Sequence, residues 1–129
     1  MIHTRKAMSE TLAAVKPFAA KGLRGIFHCF SGSAQDAALI VKMGFYLGIG
    51  GVVTYKNAGL PDALAGIGSE YLVLETDAPY LSPVPYRGKR NESSYLLEVA
   101  QKLADIKQTS VEKVARITGE NANRIFGTA

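Results

Sequence analysis

The chain has 129 residues, a net charge of +4 and a hydrophobic fraction of 47%. This length is typical of one domain, and the apolar content excludes a disordered tail. The longest apolar runs, such as residues 37–41, fall far short of the roughly 20 residues that cross a bilayer. Residues 3–5 are polar where a signal peptide would begin its apolar core. The single cysteine, Cys29, excludes an internal disulfide and is typical of a reducing compartment. We therefore expect a soluble, cytoplasmic, globular protein.

Four short apolar runs recur along the chain, and each is followed by a stretch with helical features. The runs cover residues 1–3, 25–30, 45–49 and 71–75. They are apolar almost throughout and show no apolar/polar alternation. This pattern predicts strands that are buried on both faces of a parallel sheet.

The intervening segments predict helices over residues 7–20, 34–43 and 59–67, and two more over residues 92–106 and from 109 towards 126. Pro17 is expected to kink or end the first helix. Ser33 is expected to cap the second, and Gly44 to end it. Thr109 and Glu112 predict a capping box for the last helix. Residues 77–90 contain three prolines and a glycine, which predicts a long ordered loop.

This alternation of strands and helices predicts an α/β fold. Four strand–helix units and a terminal helix amount to about half of a (β/α)8 barrel, because a full barrel has roughly 250 residues. A small doubly wound open sheet remains the alternative, since composition does not separate the two. Gly48, Gly50 and Gly51 lack the third glycine of a dinucleotide fingerprint, which argues against a dinucleotide site.

The candidate functional residues stand at the ends of predicted strands. His3 ends the first run, His28 lies in the second, and Asp77 follows the fourth. Loops at the carboxyl ends of parallel strands build active sites, and imidazole with carboxylate is a common ligand set for divalent metals. We therefore interpret His3, His28 and Asp77 as metal ligands. The alternative for each histidine alone is a half-buried core residue bonded to the backbone. We expect Glu75 to turn away from these residues or to pair with a basic neighbour, with a supporting role as the alternative.

Other polar residues near these strand ends have weaker patterns. Cys29 follows His28 directly, so strand alternation predicts that its side chain faces the helices as an apolar filler and is not a nucleophile. The loop also carries a basic cluster of Arg87, Lys89 and Arg90. We expect this cluster either to be solvated or to contact phosphate. Tyr80 and Tyr86 flank this loop, where we expect packing in preference to stacking on bases.

Several of these segments together resemble the TatD family of metal-dependent deoxyribonucleases. The resemblance covers essentially the whole chain in order, and Ser93 stands where the family commonly has proline. The matching segments are His3-Thr4-Arg5, Phe27-His28-Cys29-Phe30-Ser31-Gly32, Gly44-Phe45-Tyr46-Leu47-Gly48-Ile49, Leu74-Glu75-Thr76-Asp77-Ala78-Pro79-Tyr80-Leu81, Arg87-Gly88-Lys89-Arg90-Asn91-Glu92 and Asn121-Ala122-Asn123-Arg124-Ile125-Phe126.

Members of that family are about twice this length and fold as TIM barrels. The resemblance implies that residues 1–129 form a single partial domain, corresponding to strands five to eight with their helices. It implies that His3 and His28 hold one ion, while Asp77 serves a second ion and orients or deprotonates the attacking water. The family's opening His-x-His motif and mid-chain glutamate have no counterpart here. In a complete site, two ions about 4 Å apart activate water and stabilise the leaving oxygen. Mg²⁺ or Mn²⁺ is the expected metal, with Zn²⁺ as an alternative.

The resemblance implies an enzyme, a metal-dependent hydrolase that cleaves the phosphodiester bonds of DNA. The expected partners are DNA and either the missing N-terminal half or a second copy of the chain. Two alternatives remain open. One is an amidohydrolase-like enzyme that cleaves amides or lactones, because fold does not fix function. The other is an inactive, truncated half-barrel that self-associates.

Overall fold

In the computed structural model, which describes residues 1–127, four parallel strands form one sheet in the order β1-β2-β3-β4. The strands are β1 (Ile2–His3), β2 (Ile26–His28), β3 (Tyr46–Ile49) and β4 (Leu72–Leu74). Each lies inside a predicted run, so the four strands and the α/β class are confirmed. The spatial order follows the chain order with no reversal among the described strands. This agrees with a segment of a barrel and differs from a doubly wound sheet, whose strand order reverses at a switch point.

Five α-helices accompany the sheet. They are α1 (Met8–Ala19), α2 (Ala34–Lys42), α3 (Leu60–Ala65), α4 (Leu96–Lys107) and α5 (Val111–Phe126). Short 3-10 turns cover Gly51–Thr54, Ser69–Tyr71 and Ser93–Tyr95. Within residues 1–127, none of the helices has the length and apolar character needed to cross a membrane.

The helix ends follow the predicted capping chemistry with one correction. Ser33 and Asp36 form a reciprocal capping box at the start of α2. Helix α1 continues through Pro17 and ends at Ala19, so the proline lies in its last turn. Ser110, not Thr109, caps α5 by accepting the N–H of Lys113 at 3.2 Å. The N–H of Thr109 donates to the carbonyl of Ala104, so Thr109 still belongs to the end of α4. Helix α5 therefore begins one residue later, with Ser110 as its cap.

The two faces of the sheet differ in what covers them. Phe27, Leu47 and Leu72 belong to one apolar cluster with the helices, which includes Ile40, Val99 and Leu103. Side chains alternate along each strand, so the neighbours of these residues point to the opposite face. That opposite face carries buried Ile26 and Val73 and, towards the carboxyl ends of the strands, the polar side chains of the candidate site.

Asn121 ties the last helix to the start of β4. Its side chain is 0% exposed, and its amide donates to the carbonyls of Ser69 at 2.9 Å and Leu72 at 2.7 Å. Its carbonyl oxygen accepts a bond from Arg124. These bonds satisfy buried backbone oxygens that would otherwise have been removed from water without partners. Asn121 therefore fixes how α5 docks on the sheet.

We expect Asn121→Leu to lower the free energy of unfolding by about 1–3 kcal/mol, because it leaves two backbone oxygens without a donor. Urea denaturation followed by circular dichroism measures this loss. Glu120→Ala is the matched control, since Glu120 is exposed and only pairs with Arg116 on the helix surface. That control is expected to change stability by less than about 1 kcal/mol. Equal effects of the two substitutions would contradict the anchoring role of Asn121.

Candidate metal centre

The three predicted ligands lie close together at the carboxyl ends of the strands. His28 and Asp77 contact each other, and His3 lies beside His28. His3 and His28 are register partners in adjacent strands, and their ring centroids are 5.3 Å apart. The Nδ1 atom of His28 lies 3.6 Å from Oδ1 of Asp77. His28 and Asp77 are partly buried, whereas His3 is exposed on the edge strand β1. The parallel sheet therefore places all three side chains at one edge, which we call the carboxyl edge.

Glu75 is the central carboxylate of this group: the expectation that it turns away is wrong, and it pairs instead with a basic neighbour, His28. Its Oε1 atom lies 2.9 Å from Nδ1 of His28 and accepts the backbone N–H of Cys29 at 2.6 Å. The side chains of His28, Glu75 and Asp77 offer ligand atoms that all lie within 4.8 Å of one another. Glu75 therefore has the supporting position that the sequence left as an alternative.

Glu75 reaches His28 because the intervening strand carries a glycine. Gly48 in β3 lies between β2 and β4, in register with Val73. The N–H of Glu75 continues the ladder by donating to the carbonyl of Ile49 at 3.0 Å. A Cβ atom on Gly48 would lie 2.1 Å from Oε2 of Glu75, well inside van der Waals contact. The missing side chain thus opens a path by which a residue of β4 contacts a residue of β2.

The electrostatics of the group suit a cation. Burial raises the pKa of Glu75, and the nearby Asp77 carboxylate raises it further, while His28 and the Cys29 N–H act in the opposite direction. Two carboxylates close together are stabilised by a bound divalent ion, which neutralises their repulsion. The bond to Glu75 occupies Nδ1 of His28 and leaves Nε2 as the ring nitrogen that can face an ion. A carboxylate behind a ligating histidine is a common arrangement at metal sites.

Cys29 occupies a position that strand alternation did not predict. Strand β2 ends at His28, and Cys29 has a φ of 49°, in the left-handed region. Its thiol consequently lies beside Asp77 at the carboxyl edge and does not pack among the helices. Burial and then Asp77 raise the pKa of the thiol to about 12. Such a thiol is protonated at neutral pH, which argues against a nucleophilic role.

The three residues of the predicted basic cluster differ in their contacts. Arg87 lies over the ring of Tyr55, with its guanidinium carbon 3.9 Å from the ring centroid. Lys89 is exposed, and Arg90 lies in a shallow pocket next to Pro79. Tyr86 stacks on Tyr95 with ring centroids 3.9 Å apart, as expected for packing, while Tyr80 is 74% exposed. The three cations thus lie in one loop and have different neighbours.

A parallel sheet with imidazole and carboxylate groups at its carboxyl edge is the arrangement of α/β proteins that carry a metal site at the ends of their strands. A family model described as TatD related DNase matches residues 1–127. The chain therefore belongs to the TatD related DNase family, which confirms the resemblance drawn from its motifs.

The curated relatives are named as metal-dependent hydrolases. The chain is 46% identical over 127 residues to the uncharacterized metal-dependent hydrolase YabD of Bacillus subtilis, covering 98% of this chain and 50% of that protein. It is 38% identical to the uncharacterized metal-dependent hydrolase YcfH of Escherichia coli, covering 98% of this chain and 48% of that protein. The chain thus spans about half the length of these relatives.

Solved structures agree with this assignment. The crystal structure of YJJV, a TatD homologue from Escherichia coli, superposes with a TM-score of 0.90 at 26% identity, covering 98% of this chain and 49% of that one. An uncharacterized amidohydrolase from Saccharomyces cerevisiae superposes with a TM-score of 0.80 at 16% identity, covering 96% of this chain and 52% of that one. The latter likeness concerns the fold alone.

We expect Gly48→Ala to weaken Mn²⁺ binding by about 10–100-fold, the usual effect of losing a group that orients a metal ligand. The added Cβ would displace the Glu75 carboxylate from His28. Gly50→Ala is the matched control, because its Cβ would lie 3.5 Å from the nearest atom, the Glu75 carbonyl oxygen. Isothermal titration calorimetry with Mn²⁺ measures both variants. Equal affinities of the two variants would show that the Glu75 position is irrelevant to the metal.

We expect His3→Ala and His28→Ala each to weaken Mn²⁺ binding by at least about tenfold, since each removes a predicted ligand. Cys29→Ala is expected to leave the metal content nearly unchanged, because a protonated thiol is a poor ligand. Elemental analysis after equilibrium dialysis compares the three variants. An equal loss of metal in all of them would contradict the ligand assignment.

Proposed function

We propose that this chain supplies part of the active site of a divalent-metal-dependent enzyme that hydrolyses the phosphodiester bonds of DNA. The observation that supports the proposal is the contact of His28 with Glu75 and Asp77 at the carboxyl edge, with His3 beside them. Their ligand chemistry suits Mg²⁺, Mn²⁺ or Zn²⁺. The family membership and the names of the relatives support the metal-dependent hydrolysis.

Each residue of the group has a distinct task in this proposal. His3 and His28 would hold the cation, and the bond between Nδ1 and Glu75 would leave Nε2 of His28 for it. Asp77 holds the attacking water and accepts its proton. A bound divalent ion supplies Lewis-acid activation of water and stabilises charge on the leaving oxygen. Cys29 stays protonated beside Asp77, because burial and that carboxylate raise the pKa of its thiol.

Phosphate is the favoured substrate group because the two loops that follow β3 and β4 carry several cations. The loop after β4 carries Arg87, Lys89 and Arg90, and the loop after β3 carries Lys56. Lysine and arginine recognise phosphate oxygens through charge-assisted hydrogen bonds. Neutral amides and lactones carry no negative charge, so these cations would bind them less strongly than phosphate. The basic loops therefore support phosphodiester over acyl hydrolysis.

The same proposal includes a structural partner. Within the described residues the sheet ends at β1 and β4, each with one edge that no strand covers. Unpaired edges readily join other strands, and a closed barrel would remove them. We expect these edges to pair with a segment that corresponds to the unmatched half of the relatives, or with a second copy of the chain.

We expect the isolated 129-residue chain to self-associate and to show little nuclease activity, because the family resemblance implies a His-x-His pair and a glutamate that have no counterpart in it. Mixing it with the unmatched half of the Bacillus subtilis relative is expected to give a heterodimer with Mn²⁺-dependent DNase activity. Asp77→Asn in that heterodimer is expected to lower kcat by about 10²–10⁴-fold through loss of the base. Light scattering and a fluorogenic single-stranded DNA assay measure these outcomes.

Two results would contradict this set of expectations. A stable monomer with full DNase activity would show that the chain needs no partner. Hydrolysis of an acyl ester or lactone by the heterodimer, without cleavage of DNA, would show that the substrate is of the alternative class.

A further inference from the structure

Two arginines line one pocket at the amino ends of the strands, at the end of the sheet opposite the carboxyl edge. Arg24 lies two residues before β2 begins, and Arg124 lies in the last turn of α5. The pocket has a volume of about 360 Å³, within the usual range of small-molecule sites, and we call it the amino-end pocket. Its lining residues are Arg24, Gly25, Gly44, Tyr46, Arg124 and Ile125. None of these six described residues is acidic.

The guanidinium group of Arg24 is held in place by the end of α1. Its Nη1 atom donates to the carbonyl oxygens of Ala19 at 3.1 Å and Leu23 at 2.8 Å. A glycine makes room for the group, since a Cβ atom on Gly44 would lie 2.6 Å from Nε of Arg24. Because Gly44 also lines the pocket, the guanidinium group of Arg24 lies at the pocket wall. The two carbonyl bonds use Nη1, so the N–H groups on Nε and Nη2 remain as donors for a ligand.

Arg124 is anchored in a comparable way by its own helix. Its Nη1 atom donates to Oδ1 of Asn121 at 3.2 Å, and Asn121 is the buried residue that fixes α5 on the sheet. Within residues 1–127 the ion pairs involve His28 and Arg116, so neither arginine of the pocket has a carboxylate partner there. Two anchored guanidinium groups without such a partner concentrate positive charge at this pocket.

The surroundings of the amino-end pocket add to this positive charge. The groove between α1 and α2 shares Arg24 and Gly44 with the pocket, and Lys16 and Lys42 also line it. No acidic side chain is among the described residues that line this groove. Clustered cations favour an anion with more than one negative charge, and guanidinium groups match phosphate oxygens with paired N–H donors.

We propose that the amino-end pocket is a binding site for a phosphate dianion, separate from the candidate metal centre and independent of the proposed phosphodiesterase function. Arg24 and Arg124 donate to the phosphate oxygens, and the phenol of Tyr46 adds a further donor. The bound dianion joins the corner between α1 and β2 to the end of α5, so its binding stabilises the folded chain. The phosphate is either free or carried by an organic ester, whose other part contacts Ile125.

The first test is isothermal titration calorimetry of the full chain with inorganic phosphate, in EDTA and at about pH 8, where phosphate is a dianion. Arg24→Gln and Arg124→Gln are each expected to weaken binding by at least about tenfold, because each removes a charge-assisted hydrogen bond. Arg116→Gln is the matched control, since it removes the same charge from an exposed position on α5 outside the pocket. We expect this control to change the affinity by less than about twofold.

Gly44→Ala tests the position of Arg24 without removing a charge. The added Cβ atom would displace the guanidinium group, so we expect phosphate binding to weaken by at least about tenfold. Gly22→Ala is the matched control, because Gly22 has a φ of 97° and Gly44 a φ of 84°, while a Cβ atom on Gly22 would meet nothing within 4 Å. Both variants therefore carry the same kind of backbone strain, and circular dichroism compares their folding.

Phenyl phosphate distinguishes the two sources of the phosphate group. Tighter binding than that of inorganic phosphate assigns the pocket to phosphate monoesters, and equal or weaker binding assigns it to free phosphate. No binding of either anion by the wild type, or an equal loss of affinity in Arg116→Gln and the two pocket variants, would overturn the site. The titration needs neither a metal nor a partner, so its outcome does not depend on whether the heterodimer hydrolyses DNA.

Discussion

The candidate site depends on the hydrogen bond between Glu75 and His28. This bond joins β4 to β2 across the whole width of β3, and it fixes which ring nitrogen of His28 is left for an ion. The same Oε1 atom accepts the N–H of Cys29, so it also satisfies the backbone where β2 ends. Burial opposes the charge on Glu75, and the two donors offset part of that cost. A bound cation would offset more of it, so the structural role and the metal-binding role of Glu75 reinforce each other.

The sequence predicted most of the fold because the relevant signals are local. Each strand appears as a short apolar run, and buried parallel strands require that pattern on both faces. The capping box at Ser33 follows from residues three positions apart. The start of α5 was misplaced by one residue, because the choice between Thr109 and Ser110 depends on how α4 ends. Gln108 adopts a φ of 52°, and no local pattern identifies a glutamine in that conformation.

The site was predictable only where it depends on strand ends. His3, His28 and Asp77 could be found because every parallel strand delivers its last residues to the same edge. Glu75 could not, since its contact with His28 depends on the register that sets Gly48 between them. Cys29 was misplaced for a related reason. Alternation holds only within a strand, and β2 ends one residue before it.

The position of His3 suits the proposed pairing of this sheet with a partner strand. His3 lies on β1, an edge strand of the described sheet, and is the exposed member of the group. A parallel strand added to that edge would deliver its own carboxyl end beside His3, because register partners in a parallel sheet share a face, as His3 and His28 do. Ligands on the added strand would then lie beside the imidazole of His3. The last strand of the partner would pair with β4 at the opposite edge of the sheet. In the proposed complex, closure of the sheet and completion of the ligand set would therefore occur together. For this reason the fold of the partner half and the metal affinity of this half are expected to be thermodynamically coupled.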